Sequence, residues 1–128
     1  MANIHYLKRA IGEAVVKIYT TESAGQTIEL DIANLANGDE TFDANTAFVS
    51  IKEIHWGAKK DKQIDISRKQ RGGSDLHGHY YFTGAGSHNF VGFVDDVYPG
   101  RNIQVLLDGP GHVILKLGKK DGYTPINS

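Results

Sequence analysis

The chain contains no cysteine. That excludes disulfide staples and thiolate-bound zinc, since both require the thiol sulfur. A net charge of only -1 lacks the basic excess with which proteins meet phosphates, so no nucleic-acid partner is expected. No stretch approaches the roughly 18 consecutive apolar residues of a membrane-spanning helix, and no membrane partner is expected. The opening "MANIHYLKRAIGEA" lacks the apolar core of about 7–15 residues that a signal peptide carries. The expected location is a reducing cytoplasm, or a particle assembled there. Proline is scarce, at 3 residues, and no segment reads as a linker, a repeat or a low-complexity tract. No run shows convincing helical periodicity.

What is present is ordinary globular material: 40% hydrophobic and 23% charged residues in a chain of 128. That length suits one domain with a real core. Glycine is abundant, at 15 residues, as many tight turns between short strands require. About eight runs carry the period of two that marks a half-buried strand. In "QTIELDIANL", Ile28, Leu30 and Ile32 alternate with Thr27, Glu29 and Asp31. In "KQIDISRK", Ile64 and Ile66 face inward and Asp65 and Ser67 outward. "AFVSIKEIHWGA" changes phase at Lys52-Glu53; a bulge there would keep Val49, Ile51, Ile54 and Trp56 all facing the core. The loop from Ala36 to Thr46 reads as a polar turn. "IQVLLD" and "HVILKLGKK", joined by "GPG", read as a hairpin. The expected fold is a single all-β domain over 1–128, an antiparallel β-sandwich or jelly-roll-like barrel. Irregular terminal arms are expected at about 1–12 and 121–128.

The chemical candidates centre on "DLHGHYYFTGAGSHNF". Unbroken alternation would place His77, His79 and Tyr81 on one face of a strand, and Tyr80 and Phe82 on the other. A pair of histidines sharing a face can begin a metal site, with His88 or His112 as a third ligand. The acidic partner such sites use is missing from the following residues. The favoured reading is therefore that Tyr80 and Phe82 fill the core while the histidines face outward, with no metal and no cofactor expected. Asp39, Glu40 and Asp43 lack the ligand order of a calcium loop and read as solvated. Asp95 and Asp96 form a second acidic loop. "GAGSHN" and "GPGH" lack the ending of a phosphate loop. "LKRA" and "GKKDG" read as solvated basic clusters, or as faces for an acidic partner. No nucleophile elbow and no serine with histidine and acid partners is visible, so no catalytic residues are assigned and no enzyme is expected.

The C-terminal third, "NIQVLLDGPGHVILKLGKKDGY", combines two strands, a glycine turn, basic residues and a closing Gly-Tyr. It resembles the ending of small virion structural proteins of tailed bacteriophages, particularly those of marine and cyanobacterial hosts. "GEAVVKIY…AGQTIELDIANL" is similar to their opening strands, "VSIKEIHWGA" and "QIDISRK" to their Trp-ended strand and next arm, and "HYYFTG" to their aromatic strand. The resemblance spans about residues 10–123. It implies an all-β accessory protein of the particle without a defined activity, and it brings no catalytic residues. The histidine-rich stretch departs from the family pattern.

Three functions follow as expectations. The first is a capsid decoration or cement protein, binding the major capsid protein or other virion proteins as a homo-oligomer, a trimer where the shell axis is threefold. The second is a neck or tail adaptor or fibre-attachment component. The third is a metal- or glycan-binding β-sandwich, using His77, His79 and His88 for metal, or Trp56, Tyr80 and Tyr81 for stacking on a sugar.

Overall fold

The computed structural model describes residues 2–59, 61–70, 73, 75–90 and 101–125. These form β1 (Ala2–Ala10), β2 (Glu13–Thr20), β3 (Gln26–Leu30), a 3-10 turn η1 (Ile32–Leu35), β4 (Glu40–Phe42), β5 (Phe48–Ala58), β6 (Gln63–Gln70), β7 (Leu76–Thr83), β8 (Ala85–Asn89), β9 (Arg101–Leu107), β10 (Gly111–Asp121) and β11 (Tyr123–Pro125). A five-stranded sheet runs β1-β2-β10-β5-β8, a four-stranded sheet runs β3-β9-β6-β7, and β4 pairs with β11. Every pairing is antiparallel. This is the expected antiparallel β-sandwich.

Period-two sequences explain the two layers. Val16 and Ile18, Val113, Leu115 and Leu117, and Val49, Ile51 and Ile54 are buried from the five-stranded sheet. Ile28 and Leu30, Ile64 and Ile66, and Ile103, Val105 and Leu107 are buried from the four-stranded sheet. All belong to one contiguous cluster, and each fully buried aliphatic chain contributes about 1.5–3 kcal/mol relative to exposure. The expected bulge in β5 is present. Glu53 pairs with Lys116 and Ile51 with Leu117, so Lys52 is the extra residue. It reverses the phase and lets Ile51 and Ile54 both reach the core.

Four expectations are corrected. The first concerns the N-terminal arm. Residues 2–10 are a strand, paired with β2 from Ala2–Thr20 to Ala10–Glu13. Ile4 and Tyr6 pack against the core. A register shift between Tyr6 and Lys8 leaves Leu7 unpaired, and this bulge hides the alternation from the sequence. At the other end, β10 continues to Asp121 and β11 follows.

The second concerns the hairpins. β1–β2 and β6–β7 are hairpins, but β9 and β10 lie in opposite sheets, as do β5 and β6, and β7 and β8. Their short connections cross the sandwich. Gly84 makes one such corner with φ of 67°, a left-handed conformation that suits glycine. Its carbonyl accepts from the Ala58 N–H at 2.8 Å.

The third concerns Ile32, expected to continue β3. Asp31 caps η1 instead, its carboxylate accepting from the Ala33 N–H at 3.0 Å. This local bond competes with strand continuation. The Asn102 side-chain carbonyl takes the Ile32 N–H at 3.1 Å, and Ile32 and Leu35 are both buried.

The fourth concerns Glu40 and Lys119, read as members of a solvated loop and a solvated basic cluster. Their side chains are 1% and 0% exposed and form an ion pair at 2.6 Å. Lys119 also donates to the Ala10 carbonyl at 2.8 Å and lies 5.2 Å from the Tyr123 ring centroid. Glu40 accepts from the Asn37 N–H at 3.0 Å. Tyr123 donates its hydroxyl to the Ile32 carbonyl. The network joins the β1–β2 hairpin, η1, β4 and the C-terminal strands.

Candidate functional site

The outer face of β6 and β7 is where the sequence pointed. Ile64 pairs with Phe82 and Ile66 with Tyr80. Because directly opposed residues share a face, burial of the two isoleucines draws both aromatic rings inward. Tyr80 meets Phe90 edge to face at 5.6 Å, and Phe82 stacks on Trp56 at 4.1 Å. Asp65 pairs with Tyr81, so those two side chains take the outer face.

The three outward groups are organised. His79 Nδ1 lies 3.0 and 3.3 Å from the two Asp65 carboxylate oxygens. An ionised carboxylate only accepts, so Nδ1 carries a hydrogen and donates it to Asp65. The Tyr81 ring lies parallel to that imidazole, with 4° between planes and 5.6 Å between centroids. Tyr81 is 60% exposed, and Leu106, opposite Asp65 on β9, is 37% exposed.

The expected shared face of His77 and His79 does not follow from the observed register. Ile66 pairs with Tyr80, and Arg68 pairs with His77. Two steps on β6 thus match three on β7, and the extra residue interrupts the alternation on which the shared face rested. The His77 side chain lies outside the described set. His88 belongs to β8 of the other sheet, opposite Ile54, with its ring edge-on to Phe90 at 4.5 Å. His112 lies on β10 against Gly57, where an added Cβ would sit 2.7 Å from the imidazole Cε1. His5 meets Tyr19 edge-on at 5.2 Å, and His55 Nε2 lies 3.3 Å from Glu53. The imidazoles of His79 and His88 therefore belong to different sheets, and no group of three His, Asp or Glu that could hold a metal ion occurs among the described residues.

Of the three aromatics considered for a sugar, only Tyr81 presents an exposed ring. Trp56 is held between the Phe82 ring and Gly86, where an added Cβ would sit 2.9 Å from the indole. Its N–H donates to the Thr83 carbonyl at 3.1 Å. Asp39 and Asp43 are exposed as expected. The Asp43 carboxylate accepts from the Asn45 N–H at 2.9 Å. Asp95 and Asp96 lie outside the described residues.

The basic cluster near the N-terminus is engaged locally. Lys8 pairs with Glu13 at 3.3 Å, and Arg9 donates to the Asn34 carbonyl at 3.3 Å. Desolvation acts to raise the Glu13 pKa. The Lys8 hydrogen bond, with the charges of Lys8, Lys116 and Lys52, outweighs it and holds the carboxyl below its ordinary value of 4.5. Leu7 and Ile11 are 55% and 59% exposed on the same hairpin.

Asp65 as the partner of His79, and Leu106 as a neighbour, were not visible in the sequence. Both depend on cross-strand register, although the outward phase of Asp65 was readable.

No protein-family model and no curated protein matches the chain. Among solved structures, it is similar to Peruvianin-I, a cysteine peptidase from Thevetia peruviana latex, at 8% identity and a TM-score of 0.42, over 94% of this chain and 63% of that one. The chain thus spans less than two thirds of the peptidase. It is also similar to a cupin superfamily protein from Desulfitobacterium hafniense, at 7% identity and a TM-score of 0.39, over 94% of this chain and 79% of that one.

Proposed function

We propose that the protein is a non-enzymatic structural component of a tailed-phage particle, a decoration or cement protein that docks on the shell and stabilises it. The resemblance over about residues 10–123 motivates the particle. One structural observation carries the docking: the β1–β2 hairpin exposes Leu7 and Ile11, at 55% and 59%. Beside them runs the outer edge of β1, which pairs with no other described strand. An open edge can accept a neighbour's strand, and exposed apolar groups at its end add buried area when it does. The mechanism is added interface area between shell subunits rather than chemistry. The partners are the major capsid protein and further copies of this chain, arranged about a local shell axis. The site of action is the virion.

The test is co-sedimentation of purified protein with expanded, undecorated capsids. Saturable binding at a copy number matching the shell lattice, with a raised capsid melting temperature, is expected. Leu7→Asp/Ile11→Asp should abolish both while leaving the isolated protein folded. Absence of saturable binding by the unaltered protein overturns the reading, and a copy number fitting only a neck or tail ring would move the protein there.

A further inference from the structure

We propose that the outer face of the four-stranded sheet carries a binding site for a neutral saccharide, centred on Tyr81. Thr27, Leu106, Asp65 and Tyr81 form one line across the four strands, because Thr27 pairs with Leu106, Leu106 with Asp65, and Asp65 with Tyr81. In the next row Gln63 pairs with Thr83, and both are exposed. The line therefore alternates polar and apolar groups: two hydroxyl-bearing or carboxylate neighbours flank the aliphatic patch of Leu106, and a carboxylate lies between that patch and an aromatic ring.

This arrangement matches the two-sided chemistry of a pyranose. One side of the sugar ring is a patch of C–H groups that packs on an aromatic face, and its rim is hydroxyl. Tyr81 offers ring surface at 60% exposure, and Leu106 offers aliphatic surface at 37%. The Asp65 oxygens each retain acceptor capacity beyond the His79 contact, since a carboxylate has about four lone-pair sites. They can take hydroxyl donors from a sugar lying between the two apolar groups. His79 Nε2, Gln63, Thr83 and Thr27 supply further partners around the rim.

The platform is preorganised. Ile64, Ile66, Val105 and Leu107, which alternate with these residues, are buried at 0–1% exposure and fix the strands. The Asp65–His79 bond fixes the imidazole, and the imidazole supports one face of the Tyr81 ring. Groups held in place before binding lose little freedom on binding. The charge of the patch selects the ligand class. Asp65 faces the site directly, and the Glu29 carboxylate, held by Lys69 at 2.6 Å and by Asn102 at 2.7 Å, lies on the same sheet. An acidic sugar would meet repulsion from the Asp65 carboxylate, whereas a neutral one would not.

The proposal is independent of shell docking and is read on the isolated protein. The probes are glucose, galactose, mannose and N-acetylglucosamine with their common neutral disaccharides, followed by backbone amide and Tyr ring NMR. Expected are saturable shifts on β6, β7 and β9, and loss of binding in Tyr81→Ala. Binding retained in Tyr81→Phe and weakened about tenfold in Asp65→Asn, a loss near one hydrogen bond, is also expected. Glucuronate should bind more weakly than glucose. Tyr19→Ala, on the other sheet, should leave binding intact. No saturable shifts with any probe would overturn the proposal. Binding unchanged in Tyr81→Ala, with a native melting curve, would do the same.

Discussion

At the scale of single residues, the buried Lys119–Glu40 pair is the most consequential group in the chain. Both charges are withdrawn from water, and each has further hydrogen bonds. Lys119→Met would leave the Glu40 carboxylate buried without its partner, at a cost of about 3–5 kcal/mol. Urea unfolding should show that loss, and Lys119→Met/Glu40→Leu should recover most of it. A double variant as unstable as the single one would indicate that Lys119 acts through packing alone. Lys119 was legible after all: it stands in phase with Val113, Leu115 and Leu117, and only its charge argued against burial. Glu13 gives the opposite case, a half-buried carboxyl tuned by neighbours. With its folded pKa below 4.5, its ionised form favours the folded state. That contribution is present above 4.5 and is lost as pH falls through the lowered value. In Lys8→Ala, the Glu13 side-chain NMR titration midpoint should rise toward 4.5.

At the scale of elements, two bulges and one register slip separate what the sequence shows from what it hides. The Lys52 bulge was readable because apolar residues flank it on both sides, so the phase change was visible in the residues themselves. The Leu7 bulge was not, because Leu7 is itself apolar and extends the hydrophobic pattern onto the wrong face. The slip in β7 was invisible because the partner strand defines it. In the same way the inward aromatics and outward Tyr81 of the candidate site could be read from alternation, while its Asp65–His79 bond could not. The bulges make distinct predictions. Lys52→Ala should change stability by no more than about 0.5 kcal/mol, since its contact with Glu13 is a long, exposed one at 3.9 Å. Deleting Lys52 should leave the core phase intact, because without the extra residue Ile51 and Ile54 stand two positions apart on one face of a regular strand. Deleting the paired Ser50 instead turns Val49 out of the core and should destabilise the protein strongly; thermal melting of the three variants separates these effects. Gly122, at φ of 81° and backed directly by Ala47, should not tolerate alanine. A loss on the order of 3 kcal/mol in chemical denaturation is expected.

At the scale of the whole molecule, the order of strands in space differs from their order in the chain. The five-stranded sheet inserts β10 between β2 and β5, and the four-stranded sheet places β9 between β3 and β6. Chain adjacency suggested hairpins at each short connection, but steric closure of a two-layer core favours crossing from one layer to the other at several of them. Nothing in the local residues of "GPG" distinguishes a turn within a sheet from a corner between sheets. The fold class was thus legible and the wiring was not.

That wiring has a consequence for how the protein is made. While a ribosome is extending the chain, β2, β3, β5 and β6 emerge before the strands that join them, and neither layer can close. Early segments wait as separate strand pairs, β1–β2, β5–β8 and β6–β7, with β3 alone, their apolar faces uncovered until residues 101–121 are released. Pairing across such sequence separations carries a large loop-closure cost and slows folding into the millisecond-to-second range. Nascent chains stalled before β9 should remain protease-sensitive throughout, and protection should arise in one step once β10 has left the exit tunnel. The last strands to be synthesised therefore set the moment at which the whole protein becomes folded.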